Sequence, residues 1–163
     1  MRTSKTAILI LSTLFATAAL AESNAKQSFD ALKSLNGSWQ GKAPDGKPIE
    51  VSNRTTAGGS TIMSEIKGAR EDMISMIHLD GDRLLLTHYC EAGNQPRMQA
   101  SVSPDGKTFA FDFVDGTNLA VSQKGHMQRA VFTVLDASHH TEEWDFIQDG
   151  KVMKETFDLQ RVK

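Results

Sequence analysis

Cysteine is nearly absent from this chain, which has one, Cys90, among its 163 residues. A single cysteine cannot form an internal disulfide, so the fold has to be held by its apolar core. Free cysteine is among the residue types most often buried, which makes a small buried side chain the simplest interpretation of Cys90. An intermolecular disulfide and a reactive thiol are the alternatives.

Long apolar runs are also absent after residue 21, which excludes a membrane-spanning helix there. The one such run, Ala7 to Leu20, follows the basic residues Arg2 and Lys5 and precedes a small-x-small pattern that ends at Ala21. These features predict a secretory signal peptide over residues 1–21, cleaved after Ala21, with Ala25 as a second candidate site. We therefore expect a periplasmic or secreted protein whose mature chain, 22–163, is a single domain.

The chain lacks a basic stripe and every common catalytic motif. It has 18 basic and 20 acidic residues, and loss of Arg2 and Lys5 with the signal peptide takes the net charge from −2 to −4. This balance excludes a typical nucleic-acid partner. No nucleophile elbow, zinc-ligand spacing or phosphate-binding loop is present, so a non-catalytic protein is favoured. A hydrolase or isomerase built on a histidine and a carboxylate ranks below the binding hypotheses.

What the chain does contain is turn signals. Phe29, Leu32 and Leu35 recur every three residues before Gly37, which predicts one short amphipathic helix. Five Asp-Gly pairs, beginning at residues 45, 80, 105, 115 and 149, then punctuate alternating apolar segments. Asp-Gly between such segments is a strong hairpin signal. We predict about ten strands, over 38–42, 48–56, 60–66, 72–79, 83–90, 97–103, 108–114, 118–123, 126–136, 140–148 and 152–162, of which 118–123 has the weakest pattern.

Two hairpins have a register that the side chains themselves predict. A four-residue loop after Ser103 places six largely apolar side chains on one face, pairing Val102 with Phe109, Ala100 with Phe111 and Met98 with Phe113. A turn at Asp149-Gly150 places Phe146 opposite Met153 and Trp144 opposite Glu155. Glu155 then lies among apolar residues, so it either reaches solvent at a rim or meets a cation inside.

Strands 72–79 and 83–90 are partly apolar on both faces, which indicates that both faces are covered. Consecutive hairpins require neighbouring strands, and closure removes exposed edges, so we predict an all-β antiparallel meander barrel with an N-terminal helix. A barrel of this size can enclose one small ligand. Alternatively, the second apolar face could be the contact surface of a protein-interaction module, such as an envelope accessory factor or inhibitor. The pattern leaves open which face points inward, and the oligomeric state.

The two ends of the chain resemble the calycin superfamily, which includes lipocalins, fatty-acid-binding proteins and nitrobindin-like barrels. The resemblance rests on Gly37-Ser38-Trp39 at the start of the first strand and Arg161 in the last, within FDLQRVK. It implies that Arg161 lies across Trp39 and closes the barrel base beneath the helix, a contact worth about 0.5–2 kcal/mol. The lipocalin Thr-Asp-Tyr signature and disulfide have no counterpart, nor do the arginine pair and tyrosine of the fatty-acid binders. The resemblance therefore implies a fold and no ligand.

The best candidate site is a pocket for a small, mostly apolar molecule, because pockets combine apolar walls with a few polar groups. His88 and Tyr89 are the predicted polar contacts. The predicted apolar lining is Met73, Ile77, Leu84, Leu86, Met98, Phe109, Phe111, Phe113 and Trp144. The turn-rich loop 91–97 could form the mouth, and six methionines in predicted strands suit either an adaptable pocket or ordinary core packing.

Metal and haem sites are weaker alternatives, and no cofactor is assigned. His139 and His140 precede Glu142 and Glu143, but adjacent strand residues face opposite ways, so they could share an ion only in a loop. We expect a solvated turn there. Nitrobindin-like barrels bind haem through one histidine near the mouth, and none of the five histidines here aligns with that position. Thiol catalysis is disfavoured because His88 and Cys90 lie about 7 Å apart along a strand.

Overall fold

The computed structural model describes residues 24–43, 45–68, 72–120 and 125–162. The predicted signal peptide and its cleavage site after Ala21 lie outside these residues. A single α-helix, α1 (Asn24–Leu32), runs into a 3₁₀ turn (Lys33–Leu35), and a second 3₁₀ turn spans Ala57–Gly59. The strands are β1 (Gly37–Lys42), β2 (Pro48–Thr56), β3 (Thr61–Lys67), β4 (Met73–Asp80), β5 (Arg83–Tyr89), β6 (Gln95–Val102), β7 (Thr108–Thr117), β8 (His126–Asp136), β9 (His139–Gln148) and β10 (Lys151–Arg161).

The strands form one closed antiparallel barrel in which every strand pairs with its neighbours in the chain. The barrel closes where β1 pairs with both β2 and β10, so that Trp39 lies between Val51 and Arg161. The all-β meander prediction is confirmed. Among the described residues, no helix has the length and apolar character needed to cross a membrane.

Both predicted hairpin registers are confirmed. Across the β6–β7 turn, Val102 pairs with Phe109 and Ala100 with Phe111, and across the β9–β10 turn, Trp144 pairs with Glu155. Asp149 and Gly150 form that second turn with φ angles of 50° and 71°, the left-handed values that a two-residue hairpin requires.

One turn prediction is wrong, and one strand prediction is wrong over its described residues. Asp115-Gly116 does not end a strand, because β7 continues to Thr117 and Asp115 pairs with Arg97 of β6. A Cβ at Gly116 would lie 2.9 Å from the carbonyl oxygen of Gln95, so this glycine permits a close strand approach rather than a turn. The predicted strand 118–123 is turn and bend over 118–120, and its remainder lies outside the described residues.

The structure decides which face of β4 and β5 points inward. Five side chains, those of Ser75, Ile77, Leu84, Leu86 and His88, are buried on the inner face. On the outer face, Leu85 is also buried, which accounts for the apolar character of both faces. The helix α1 contacts β4 and β5.

The antiparallel order gives the barrel two unlike ends. The turns after β2, β4, β6 and β8 lie at the end that α1 covers, which we call the closed end. Phe29 and Leu32 of α1 are buried there, in the same core cluster as Leu84 and Phe109. The last residues of β1, β3, β5, β7 and β9 lie at the opposite end, which we call the open end.

Candidate ligand-binding site

A cavity of about 450 Å³ occupies the open end of the barrel. This volume lies within the range of roughly 300–1,000 Å³ that is typical of small-molecule sites. Its walls combine apolar side chains with a few polar groups near the rim. The lining residues are Ile49, Ile66, Lys67, Met73, Cys90, Glu91, Ala92, Met127, Trp144, Phe146, Gln148, Met153, Glu155 and Phe157.

Three of the lining residues are methionines, each from a different strand. Met73 lies on β4, Met127 on β8 and Met153 on β10, and Met127 and Met153 both pair with Phe146 of β9. Flexible thioether side chains can repack around ligands of different shapes. By contrast, Met98 is fully buried in the core, where it serves ordinary core packing.

The rim of the cavity is built partly by the connection between β5 and β6. The backbone N–H of Cys90 donates to the carbonyl of Asn94 at 3.1 Å, and the Asn94 side chain donates to the carbonyl of Gly125 at 2.7 Å. This segment contributes Cys90, Glu91 and Ala92 to the lining, as the loop prediction suggested. Burial raises the pKa of the Cys90 thiol, so its thiolate is disfavoured at neutral pH.

Glu155 lies at the rim on β10 and lines the cavity, half-buried.

His88 lies beneath the cavity in the barrel interior. Its Nδ1 is 2.9 Å from Oγ of Ser75, while its Nε2 has no hydrogen-bonding partner. The ring centre lies 5.0 Å from that of Trp144, which lines the cavity. Burial lowers the pKa of His88 to about 4, because an imidazolium here would lose its hydration without gaining a counter-ion. The side chain is therefore neutral at pH 7.

A second buried polar group was missed at the sequence level. The segment 139–143 is the start of β9, not a solvated turn, so its side chains alternate between the two faces. His140 and Glu142 are fully buried. One Glu142 oxygen is 3.2 Å from Nε2 of His140, and the other accepts a hydrogen bond from Nε1 of Trp144 at 3.1 Å. His139 points outward instead and contacts Asp158.

The signal for this cluster was present in the chain. Residues 140, 142 and 144 share one face of any strand that contains all three, so the apolar position of Trp144 places the other two inside as well.

The closed end holds the Trp39–Arg161 contact that the calycin resemblance implied. Cζ of Arg161 lies 4.1 Å from the centre of the Trp39 ring. The guanidinium also donates to the carbonyls of Ser34, Asn36 and Ala137 at 2.6–2.7 Å. Gly37 has a φ of 130°, and a Cβ there would lie 2.7 Å from Nη1 of Arg161, so this position requires glycine.

Apart from Tyr89, the predicted site residues separate into three groups. Met73 and Trp144 line the cavity, and His88 lies beneath it. Phe113 is half-buried and packs on His126 outside the lining. A further six are buried in the packed core and contribute nothing to the cavity surface: Ile77, Leu84, Leu86, Met98, Phe109 and Phe111.

The prediction that Tyr89 is a polar contact of the ligand is wrong. It lies on the outer face of β5 with 49% of its surface exposed, because its neighbour His88 takes the inner face. It cannot contact a molecule inside the barrel.

The lining does not fit the histidine-bound haem of nitrobindin-like barrels. None of the described residues that line the cavity is a histidine; of the two buried histidines, His88 lies one layer beneath the cavity and His140 lies outside its lining. Within the described ranges, no group of three or more histidine, cysteine, aspartate or glutamate side chains is placed to hold a metal ion.

Comparisons with known proteins show the fold alone. No protein-family model matches the chain, and no curated protein matches it. The barrel is similar to the crystal structure of Rv2717c from M. tuberculosis, with a TM-score of 0.58 and 16% identity over 83% of this chain and 98% of that one. It is also similar to a Nostoc punctiforme protein of unknown function from the DUF3598 family, with a TM-score of 0.54 and 13% identity over 80% of this chain. This chain spans 49% of that second protein.

Proposed function

We propose that this protein is exported and that its barrel binds one small, mostly apolar molecule at the open end without catalysing a reaction. The observation that carries the proposal is the cavity of about 450 Å³ with three methionines and three aromatic rings in its lining. The calycin-like contact of Arg161 with Trp39 supports it, because this contact closes the end of the barrel opposite the cavity.

The open cavity favours ligand binding over a purely structural role for the barrel. A cavity of this size that opens to solvent leaves the apolar surface of its walls in contact with water, which is unfavourable. A bound ligand would remove that surface from water and would stabilise the folded state by mass action. Cys90 adds a neutral thiol to the wall rather than a nucleophile.

The test uses the neutral fluorescent probe N-phenylnaphthylamine with the mature protein. We expect saturable binding with enhanced probe fluorescence and energy transfer from Trp144, which lines the cavity. Met73→Gln should weaken binding roughly fivefold, equivalent to about 1 kcal/mol of lost apolar contact.

The matched control is Met76→Gln, on the same strand and also half-buried, but on the outer face. It should leave the affinity unchanged. No saturable binding, or an equal loss in both variants, would remove the proposal. Native mass spectrometry of protein purified from its own compartment would then give the mass of the natural ligand.

Export to the periplasm or beyond is supported by the basic start, apolar run and small-x-small pattern of residues 1–21. Intact-mass measurement of the protein recovered from the producing cells should give a chain that begins at Glu22. A chain that keeps residues 1–21 would contradict export.

The interaction-module alternative has less support. Among the described residues, Tyr89 is the one large hydrophobic side chain that is exposed on the outer face of β4 and β5. An apolar docking surface normally needs a contiguous patch of several hundred Å².

A further inference from the structure

We propose that a row of buried polar side chains beneath the cavity binds a neutral oxygen-bearing head group, so that the ligand is an uncharged amphiphile with a hydroxyl or carbonyl group. This inference rests on the proposed function and specifies the chemical class of the ligand. The row consists of Asn53, Ser64, Ser75 and His88, one residue from each of β2, β3, β4 and β5.

Three residues of the row lie one layer below the cavity wall, and Asn53 lies two layers below the lining residue Ile49 of its strand. Inward-facing residues along a strand are two positions apart, about 7 Å. On three neighbouring strands the residue two positions beyond a lining residue is polar: Ile66 is followed inward by Ser64, Met73 by Ser75, and Cys90 by His88. Trp144, which lines the cavity, contacts the His88 ring. The polar row therefore adjoins the floor of the cavity.

Strand register brings the four side chains side by side. Asn53 pairs with Ser64, Ser64 with Ser75, and Ser75 with His88. Directly paired residues on one face of an antiparallel sheet have Cβ atoms about 5 Å apart. All four are at least nine-tenths buried, so the row is a continuous polar strip inside the barrel, separate from the buried His140–Glu142 pair.

Three atoms of this strip have no hydrogen-bonding partner: Nδ2 of Asn53, Oγ of Ser64 and Nε2 of His88. More than nine-tenths of buried polar groups in folded proteins are hydrogen-bonded, and each exception calls for a physical reason. The three exceptions lie on β2, β3 and β5, in one row of paired residues beneath the cavity, and indicate a shared missing partner. A ligand head group at the cavity floor would supply it.

The donors and acceptors of the strip define that head group. The amide nitrogen of Asn53 only donates, so the ligand must present an acceptor, while Ser64 can donate or accept. The strip contains no cation, the Lys67 ammonium of the cavity lining is paired with Glu65, and Arg161 is committed to three carbonyls at the closed end. An ionised head group would lose its hydration without a counter-charge. A hydroxyl or carbonyl oxygen meets both conditions.

The experiment compares decanol with decanoate as competitors of N-phenylnaphthylamine at about pH 8, where decanoate is ionised. Decanol should compete at least roughly tenfold more strongly, because burial of an unpaired carboxylate is penalised. Ser64→Ala should weaken decanol binding roughly fivefold and leave probe binding unchanged. The control is Ser52→Ala. Ser52 precedes Asn53 on β2 and faces outward, so its replacement should change neither decanol binding nor probe binding.

The thermal stability of the ligand-free variant provides an independent measurement. Loss of the Ser64 hydroxyl should leave the melting temperature unchanged or raise it, because that oxygen has no partner in the empty barrel. A lowered melting temperature with unchanged decanol affinity would mean that ordered water satisfies the strip, and would overturn the inference. If the probe binds but decanol competes no better than decanoate, the inference about the head group is overturned and the proposed function is unaffected. If the probe shows no saturable binding, both the inference and the proposed function are overturned.

Discussion

The two ends of this barrel are made from the same strands but are filled differently. At the closed end, α1 inserts Phe29 and Leu32, and inward residues such as Phe109 have no exposed surface. At the open end, inward residues at equivalent positions of the pleat, such as Met73 and Phe146, are only partly buried and border a cavity. Side-chain alternation therefore does not distinguish a residue of the packed core from a residue of the cavity wall. Its position along the barrel axis does, because the helix fills one end of the barrel only.

Identical truncations at the two ends should separate them most clearly. Phe109→Ala removes a fully buried ring at the closed end and should lower the free energy of unfolding by about 3–5 kcal/mol. Phe146→Ala, at the cavity wall, should cost about 1 kcal/mol, since that ring is only partly buried. Urea unfolding followed by tryptophan fluorescence measures both. Equal losses would mean that the open end is as tightly packed as the closed one.

Replacement of the closing arginine tests whether geometry or charge holds the closed end. Arg161→Lys keeps the charge but cannot donate to three carbonyls while lying over Trp39, and should cost about 2 kcal/mol. Arg129→Lys alters an exposed ion pair with Asp112 and should cost less than about 0.5 kcal/mol. Similar values for the two lysine variants would show that the closure depends on charge alone.

Acid should weaken the protein through His88. Burial depresses its pKa to about 4, so between pH 6.5 and 4 the unfolded chain takes up a proton that the folded chain refuses. Stability is therefore full above that window and falls as the pH drops, by about 2 kcal/mol between pH 7 and 5. His88→Gln should show a correspondingly smaller loss over the same range, and parallel curves for the two proteins would contradict the assignment.

The smallest effect concerns the thiol at the open end. Burial raises the pKa of Cys90, so its reaction with Ellman's reagent at about pH 8 should be at least roughly tenfold slower than that of an exposed cysteine. Cys90→Ser combined with Ser101→Cys, on the outer face of β6, supplies that exposed reference. N-phenylnaphthylamine should slow Cys90 further and leave the reference unaffected. Protection of both thiols would place the probe outside the cavity.

Face and register were predictable because they depend on a period of two. Phe109, Phe111 and Met98 were assigned correctly to one face, and so were Trp144 and Glu155 across the next hairpin. The same rule places His140 and Glu142 inside, because the predicted strand 140–148 puts both on the face of Trp144. They were missed because residues 139–143 were interpreted as a solvated turn.

The cavity could not be predicted in the same way. Met73, Ile77 and Leu86 are equivalent in alternation, yet only Met73 borders the cavity. The strand pattern carries no information about where the helix packs, and that contact decides which inward side chains are covered. Only the tertiary structure showed which of the two apolar faces of β4 and β5 points into the barrel, because both faces had the alternation expected of a buried face.

The sequence by itself determined that this chain closes into an antiparallel barrel, because alternating apolar residues and tight turns act between neighbours and leave little freedom in pairing. It also placed Trp39 and Arg161 together, through the resemblance of the two ends. Only the tertiary structure decided that the barrel is plugged at one end and hollow at the other, and that Asn53, Ser64, Ser75 and His88 form one strip. The reason is that these relations join four strands and a helix, and no local spacing in the chain encodes them.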